Sequence, residues 1–110
     1  MKHWTQATEN DDHRMRAART LTIHLRDNDE DPENVTDFEI FALIADLLHV
    51  ARSLGWDSFN VLEHAMSHFA WEVAHEDPEV PREIVGEEKI LAAARARIEC
   101  DPIRILTSSE

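Results

Sequence analysis

The segment from Thr36 to Leu54 constrains the fold more than any other part of the sequence, because it predicts a helix that is apolar around most of its circumference. Its apolar residues cover most of the helix circumference, and they are Phe38, Ile40, Phe41, Leu43, Ile44, Leu47, Leu48, Ala51 and Leu54. Its polar residues form a narrow strip, which consists of Glu39, Asp46, His49 and Ser53. A surface helix usually carries an apolar stripe only about 100° wide. We therefore expect this helix to be either the central helix of a bundle or a helix partly covered by a second subunit.

A second helix is predicted directly after this one. Thr36 and Glu39 have the spacing of a capping box that starts the first helix, and Gly55 can end it in the left-handed conformation. Asp57 or Ser58 can cap the second helix, predicted from Phe59 to His75. Its predicted core face consists of Phe59, Leu62, Met66, Phe69 and Val73. The opposite face consists of Val61, His64, His68, Trp71 and His75.

The remaining chain also favours helices, since its 110 residues include two glycines, four prolines and no tyrosine. One helix is predicted from Asn10 or Asp11 to Arg26, although residues 20–26 also alternate like a strand that residues 103–107 could pair with. Another helix is predicted over residues 87–100, with Pro81 as an earlier possible start. We predict one domain over residues 1–110. Its fold is expected to be all-α, a small bundle of about four helices around the hairpin 36–76, with residues 1–9 and 107–110 frayed.

Charge and composition restrict the partners. The formal net charge of −12 opposes direct nucleic-acid binding and suits a basic protein partner, including one that itself binds nucleic acid. The single cysteine, Cys100, excludes an internal disulfide framework. The polar start of the chain does not resemble a signal peptide, and no apolar run reaches the roughly 18 residues of a membrane span. These features predict a cytoplasmic protein without membrane contact.

Enzymatic motifs are missing from the sequence. It contains no P-loop, dinucleotide fingerprint or G-x-S-x-G motif, and the acidic neighbours of Cys100 disfavour its thiolate. The turn from Leu54 to Asp57 looks like that of all-α nucleotide pyrophosphohydrolases of the MazG type. No E-x-x-E pair lies on a predicted helix before this turn, so the magnesium-dependent activity is not carried over. Asp27, Asp29 and Asp31 start like a calcium loop, but Pro32 stands at its glycine position. We predict a non-enzymatic protein without catalytic residues.

A metal site is the alternative prediction. His64 and His68 are four residues apart on one helix, a spacing that suits zinc or another transition metal, and Glu72 continues the row. Asp46 and His49 offer a second pair on the preceding helix. The motif departs from H-E-x-x-H, because Ala65 stands where a zincin has its catalytic glutamate. The competing interpretation is that these histidines are packing or interface residues, and we expect no bound cofactor.

Three stretches of the hairpin form a distinct pattern, and they are Asp46–Ala51, Gly55–Phe59 and the residues His68, Phe69 and Glu72. In this pattern the hairpin resembles short bacterial proteins carried by phages and plasmids. The resemblance implies a setting in a mobile genetic element. It implies no biochemical function.

The favoured function is therefore protein–protein interaction, by a homodimer whose contact residues are Trp71, His75, Phe41 and Ile44. In a mobile element, such an acidic protein would act as an inhibitor or regulator that presents carboxylates where phosphates are expected. The alternative is a metal-binding helical protein or a small metal-dependent hydrolase that uses His64 and His68.

Overall fold

The computed structural model describes residues 4–100, and every regular element in this part of the chain is a helix. The four helices are α1 (Gln6–Asp27), α2 (Asp37–Ser53), α3 (Ser58–Ala74) and α4 (Glu87–Cys100). The predicted all-α class with about four helices is confirmed for these residues. Within the same range, no helix has the length and apolar character needed to cross a membrane.

Helix α1 starts earlier than the sequence predicts. Thr5 caps it, since its hydroxyl accepts the backbone N–H of Thr8 at 3.0 Å, and the helix therefore includes residues for which fraying was expected. It continues without interruption through residues 20–26, so the helical alternative is the observed one. The predictions for residues 1–3 and 101–110, including the pairing strand and the C-terminal fraying, lie outside the described residues.

The ends of α2 follow the sequence signals. The capping box of Thr36 and Glu39 is present, and Gly55 adopts a φ of 88°. The backbone N–H of Gly55 donates to the carbonyl of Arg52 at 3.0 Å, and that of Trp56 donates to the carbonyl of Ala51 at 2.9 Å. This pair of bonds is a Schellman motif, which satisfies carbonyls that would otherwise lack partners at the helix end.

Contacts divide the described residues into two units. The α4 unit comprises residues 4–10 and 66–100, and the hairpin unit comprises residues 11–65. The core of the α4 unit is built from small side chains, namely Ala70, Val73, Ala74 and Ala94, with Ile90 and Ala93 packed against them. A polar cluster adds to it: the carboxylate of Glu76 accepts Arg97 Nε at 2.8 Å and Asn10 Nδ2 at 2.9 Å. Both contacts join segments that are distant in sequence.

The hairpin unit contains α2, the first half of α3 and most of α1. Leu25 of α1 is the largest fully buried side chain among the described residues. Helix α2, in contrast, contains no buried residue. The expectation that α2 is buried on most sides is therefore not met by the described residues. The alternative prediction, that a second subunit covers part of α2, stays a prediction.

Candidate interaction surface

The most unusual feature of the structure is an exposed row of large apolar side chains on α2. We call it the α2 apolar surface, and it consists of Phe38, Phe41, Ile44, Leu47 and Val50. Their exposed fractions lie between 40% and 57%. They recur every third residue, and each such step turns by about 60° around a helix of 3.6 residues per turn. The row therefore spans an arc of about 240°, far wider than the face of an ordinary surface helix.

The turn between α2 and α3 adds a second exposed group. We call it the hairpin tip, and it consists of Leu54, Trp56 and Phe59, which are 69%, 66% and 83% exposed. The tip is held by specific bonds. Ser58 Oγ donates to the carbonyl of Leu48 at 2.7 Å, and Asp57 Oδ1 accepts the backbone N–H of Phe59 at 3.0 Å. With the Schellman bonds of α2, these contacts fix the backbone that carries the exposed side chains.

The predicted core face of α3 is wrong for most of its residues. Phe59, Met66 and Phe69 are between 58% and 83% exposed, whereas Val73 is buried. The physical reason is that α3 carries apolar residues on two opposite faces, so helical periodicity alone does not decide which face turns inward. Only the last turns of α3 contribute to a core, through Ala70, Val73 and Ala74.

The four predicted contact residues differ in how far they are exposed. Phe41 and Ile44 are exposed on the α2 apolar surface, at 54% and 40%. Trp71 is half-buried, and its ring stacks on that of His75 with centroids 4.0 Å apart. His75 is only 5% exposed, so little of its side chain is available to a second chain in this structure. Its ring nitrogens lie 2.8 Å from the carbonyl of Trp71 and 3.0 Å from that of Pro81, which turn the imidazole inward.

A cation–aromatic group beside this stack was not predicted. The guanidinium of Arg82 lies 5.4 Å from the ring centroid of Trp4 and 5.1 Å from that of Trp71. Trp4 Nε1 also donates to Glu9 Oε1 at 2.7 Å. From the sequence, Trp4 is the one residue of segment 1–9 that is expected to pack on another surface, but that surface is not indicated. No local signal pairs it with an arginine 78 positions later, so we interpret the group as packing within the α4 unit.

The predicted metal ligands do not form a cluster. Among the described residues, no group of three or more histidine, cysteine or acidic side chains is placed to hold a metal ion. His68 Nε2 lies 3.2 Å from Glu72 Oε2, and His64 is exposed. Asp46 Oδ2 lies 3.5 Å from His24 Nε2 of α1, a residue that the prediction had not considered. The metal hypothesis thus stays a prediction without added support.

One carboxyl of the hairpin unit has a clearly shifted pKa. The hydroxyl of Thr36 donates to Glu39 Oε1 at 2.6 Å, and the backbone N–H of Thr36 donates to the same oxygen at 2.7 Å. These bonds, the hydroxyl bond first, hold the pKa of Glu39 below its ordinary value. The shift is explained by helix capping and indicates no acid–base chemistry.

Comparison of the chain with protein-family models, curated proteins and solved structures finds no match in any of the three. The resemblance of residues 46–72 to phage and plasmid proteins therefore remains a prediction. The candidate surface rests on the geometry of this chain alone.

Proposed function

We propose that this chain is a non-enzymatic protein-interaction protein whose working surface is the α2 apolar surface together with the hairpin tip. The observation that carries the proposal is that α2 has no buried residue, although eleven of its 17 residues are Phe, Ile, Leu, Val or Ala. A helix of this composition is stable in water only when another surface covers it, because most helical stability in proteins comes from tertiary packing.

The shape of the surface favours a protein partner over a small molecule. Small-molecule sites are concave and enclose most of their ligand. Here the side chains project from the outside of a helix over an arc of about 240°, and those of the tip project from a turn. Such a convex surface is covered by a partner that presents a groove or another helix pair, as in helix-in-groove recognition.

Charge supports a further choice among protein partners. The net charge of −12 favours basic proteins on surfaces that remain free and disfavours nucleic acid itself. Together with the resemblance of residues 46–72, it supports an inhibitor or regulator of a basic, nucleic-acid-binding protein in a phage or plasmid. This part of the proposal rests on composition and resemblance, whereas the choice of surface rests on exposure.

Photo-crosslinking in living cells tests the proposal. A photoreactive phenylalanine analogue replaces Phe41 or Phe59, and a third variant carries it at Arg19, an exposed position on α1. We expect covalent adducts with protein from the first two positions and none above background from the third. Adduct yields at Phe41 and Phe59 equal to the yield at Arg19 would contradict the proposal.

A further inference from the structure

We infer that the α2 apolar surface and the hairpin tip are covered by a second copy of this chain, in a homodimer whose two-fold axis crosses α2. This inference rests on the proposed function and identifies the first partner of the same surface. Four properties of the described residues support a second copy: the exposed area, the small core, the distribution of charge and the form of the surface.

The exposed area matches that of a stable interface. The eight side chains of the two groups are between 40% and 83% exposed. With full side-chain areas of roughly 150–250 Å², they present on the order of 1,000 Å² per chain. A standard interface buries about 800 Å² per partner, and the largest apolar patch on a monomer is about 300–600 Å². The summed exposed area is therefore large enough to supply a dimer interface.

The small core indicates that the partner must be permanent. The buried apolar side chains among the described residues are Leu25, Ala70, Val73, Ala74 and Ala94, of which three are alanines. In the hairpin unit only Leu25 is buried. A partner met occasionally would leave this unit without cover between encounters. A second copy is present whenever the chain is present, which is the usual situation of obligate homodimers that have no stable folded monomer.

The charges of the hairpin are placed where they do not prevent self-association. Of the charged residues of α2, Glu39 and Asp46 lie on the polar strip outside the apolar row, and Asp37 and Arg52 lie in the first and last turns of the helix. Each copy nevertheless carries a net charge of −12, so two copies repel each other at long range. Salt screens this repulsion, with a screening length of about 10 Å at 0.1 M. Added salt should therefore tighten a homodimer, whereas it would weaken a complex with a basic protein.

The form of the surface suits two-fold symmetry. In a two-fold dimer, the same patch of both copies makes the interface, so the patch must be complementary to itself. Because the row spans about 240° of α2, a single helix covers only part of it, whereas the α2–α3 helix pair of a second copy contacts α2 on more than one side. The axis then lies beside one position of α2, and the two copies of that residue come close together.

Sedimentation equilibrium of the full chain tests the inference. We expect a mass of about twice 12.7 kDa at micromolar concentration and a dissociation constant that falls as salt rises. Leu47→Glu should weaken the dimer at least ~100-fold, because it buries a charge without a partner. Leu47→Met should stay within ~10-fold of wild type. Ala92→Glu, which adds the same charge on an exposed position of α4, should have no effect.

A cysteine scan keeps the test valid if Leu47→Glu fails to fold. In a Cys100→Ser background, one cysteine is placed in turn at each of five positions, which are Phe38, Phe41, Ile44, Leu47 and Val50. Mild oxidation should give a disulfide-linked dimer from at least one of them and none from Ala92→Cys. No cross-link at any of the five would overturn the assignment of the surface.

The outcomes distinguish this inference from the proposed function. A folded monomer that still forms adducts from Phe41 with a different protein would overturn the homodimer and leave the interaction function intact. A folded monomer without any adduct would overturn both. A dimer cross-linked through the α2 apolar surface would support both.

Discussion

Replacing Phe59 by alanine should lower the free energy of unfolding by different amounts in a monomer and in a chain whose hairpin tip is covered by a partner. Phe59 is 83% exposed, so a single chain buries only about a sixth of its side chain. At ~25 cal/mol per Å² and roughly 40 Å² of buried area, this burial contributes about 1 kcal/mol. The higher helix propensity of alanine offsets a few tenths of a kcal/mol of the loss. A lone chain should therefore lose less than ~1 kcal/mol in its free energy of unfolding.

A covered Phe59 predicts a much larger loss. Truncation of a buried phenylalanine to alanine typically costs about 3–5 kcal/mol. We expect Phe59→Ala to lower the free energy of unfolding by about 3 kcal/mol per chain. The assay is urea denaturation followed by helical circular dichroism, at one fixed chain concentration because the stability of a dimer depends on concentration.

Val85→Ala is the matched control for this measurement. Val85 is 75% exposed, lies between α3 and α4, and belongs to neither group of the candidate surface. Its truncation should change the free energy of unfolding by less than ~0.5 kcal/mol. A loss for Phe59→Ala within ~0.5 kcal/mol of the loss for Val85→Ala would refute the reasoning that a partner covers the hairpin tip.

Three further predictions concern the folding of the chain itself. Glu76→Ala should lower the free energy of unfolding by about 2–4 kcal/mol, because it removes the charged hydrogen bond from Arg97 at 2.8 Å. Asp29→Gly should raise the melting temperature by about 2–4 °C, because Asp29 has a φ of 58° that glycine adopts without strain. Thr36→Ala should cost about 1 kcal/mol and raise the pKa of Glu39 toward its ordinary value in an NMR titration. Stability due to this lowered pKa is present above the ordinary carboxyl range and is lost as pH falls through the folded-state value.

Each of these predictions has a control within the chain. Glu79→Ala removes an exposed carboxylate and should be nearly neutral, so equal losses for Glu79→Ala and Glu76→Ala would contradict the first prediction. Asp27→Gly makes the same change inside the last turn of α1 and should destabilise, so a melting temperature raised by both changes would contradict the second. Thr20→Ala, in the middle of α1, should not alter the Glu39 titration, whereas an unchanged titration in the cap variant would contradict the third.

Local signals made the helix ends predictable from the sequence. The capping box at Thr36, the left-handed Gly55 and the cap at Asp57 each involve residues within a few positions of one another, and each is observed. The start of α1 is the exception. There the hydroxyl of Thr5 accepts the backbone N–H of Thr8, and the hydroxyl of Thr8 accepts the backbone N–H of Thr5. This cap uses a second threonine in place of the glutamate or glutamine of a capping box, so the sequence pattern does not indicate it.

The burial of particular faces was not predictable in the same way. Periodicity shows that α3 has apolar residues on two sides, but the choice between them depends on distant residues. His75 is buried because the carbonyl of Pro81 and the ring of Trp71 cover it. The contact between Trp4 and Arg82 joins residues that are 78 positions apart in the sequence. Such contacts follow from the tertiary fold and leave no local pattern.

The apolar character of α2 could be predicted from the sequence only in part, unlike the helix ends, which were predictable, and the buried faces, which were not. The sequence predicts a helix that needs cover on most sides, and it leaves open whether the same chain or a second one supplies the cover. In the structure, Phe38, Phe41 and their neighbours are exposed. What remains is the identity of the covering surface, which the hydrophobic pattern of one chain does not encode.

The mass of the wild-type chain in solution tests the central claim most directly. Sedimentation equilibrium over a range of chain concentrations, at low and high salt and with helicity checked by circular dichroism, requires no variant. A mass of about twice 12.7 kDa that persists to lower concentration at high salt is the predicted result. A fully helical species of 12.7 kDa at every concentration would contradict the claim.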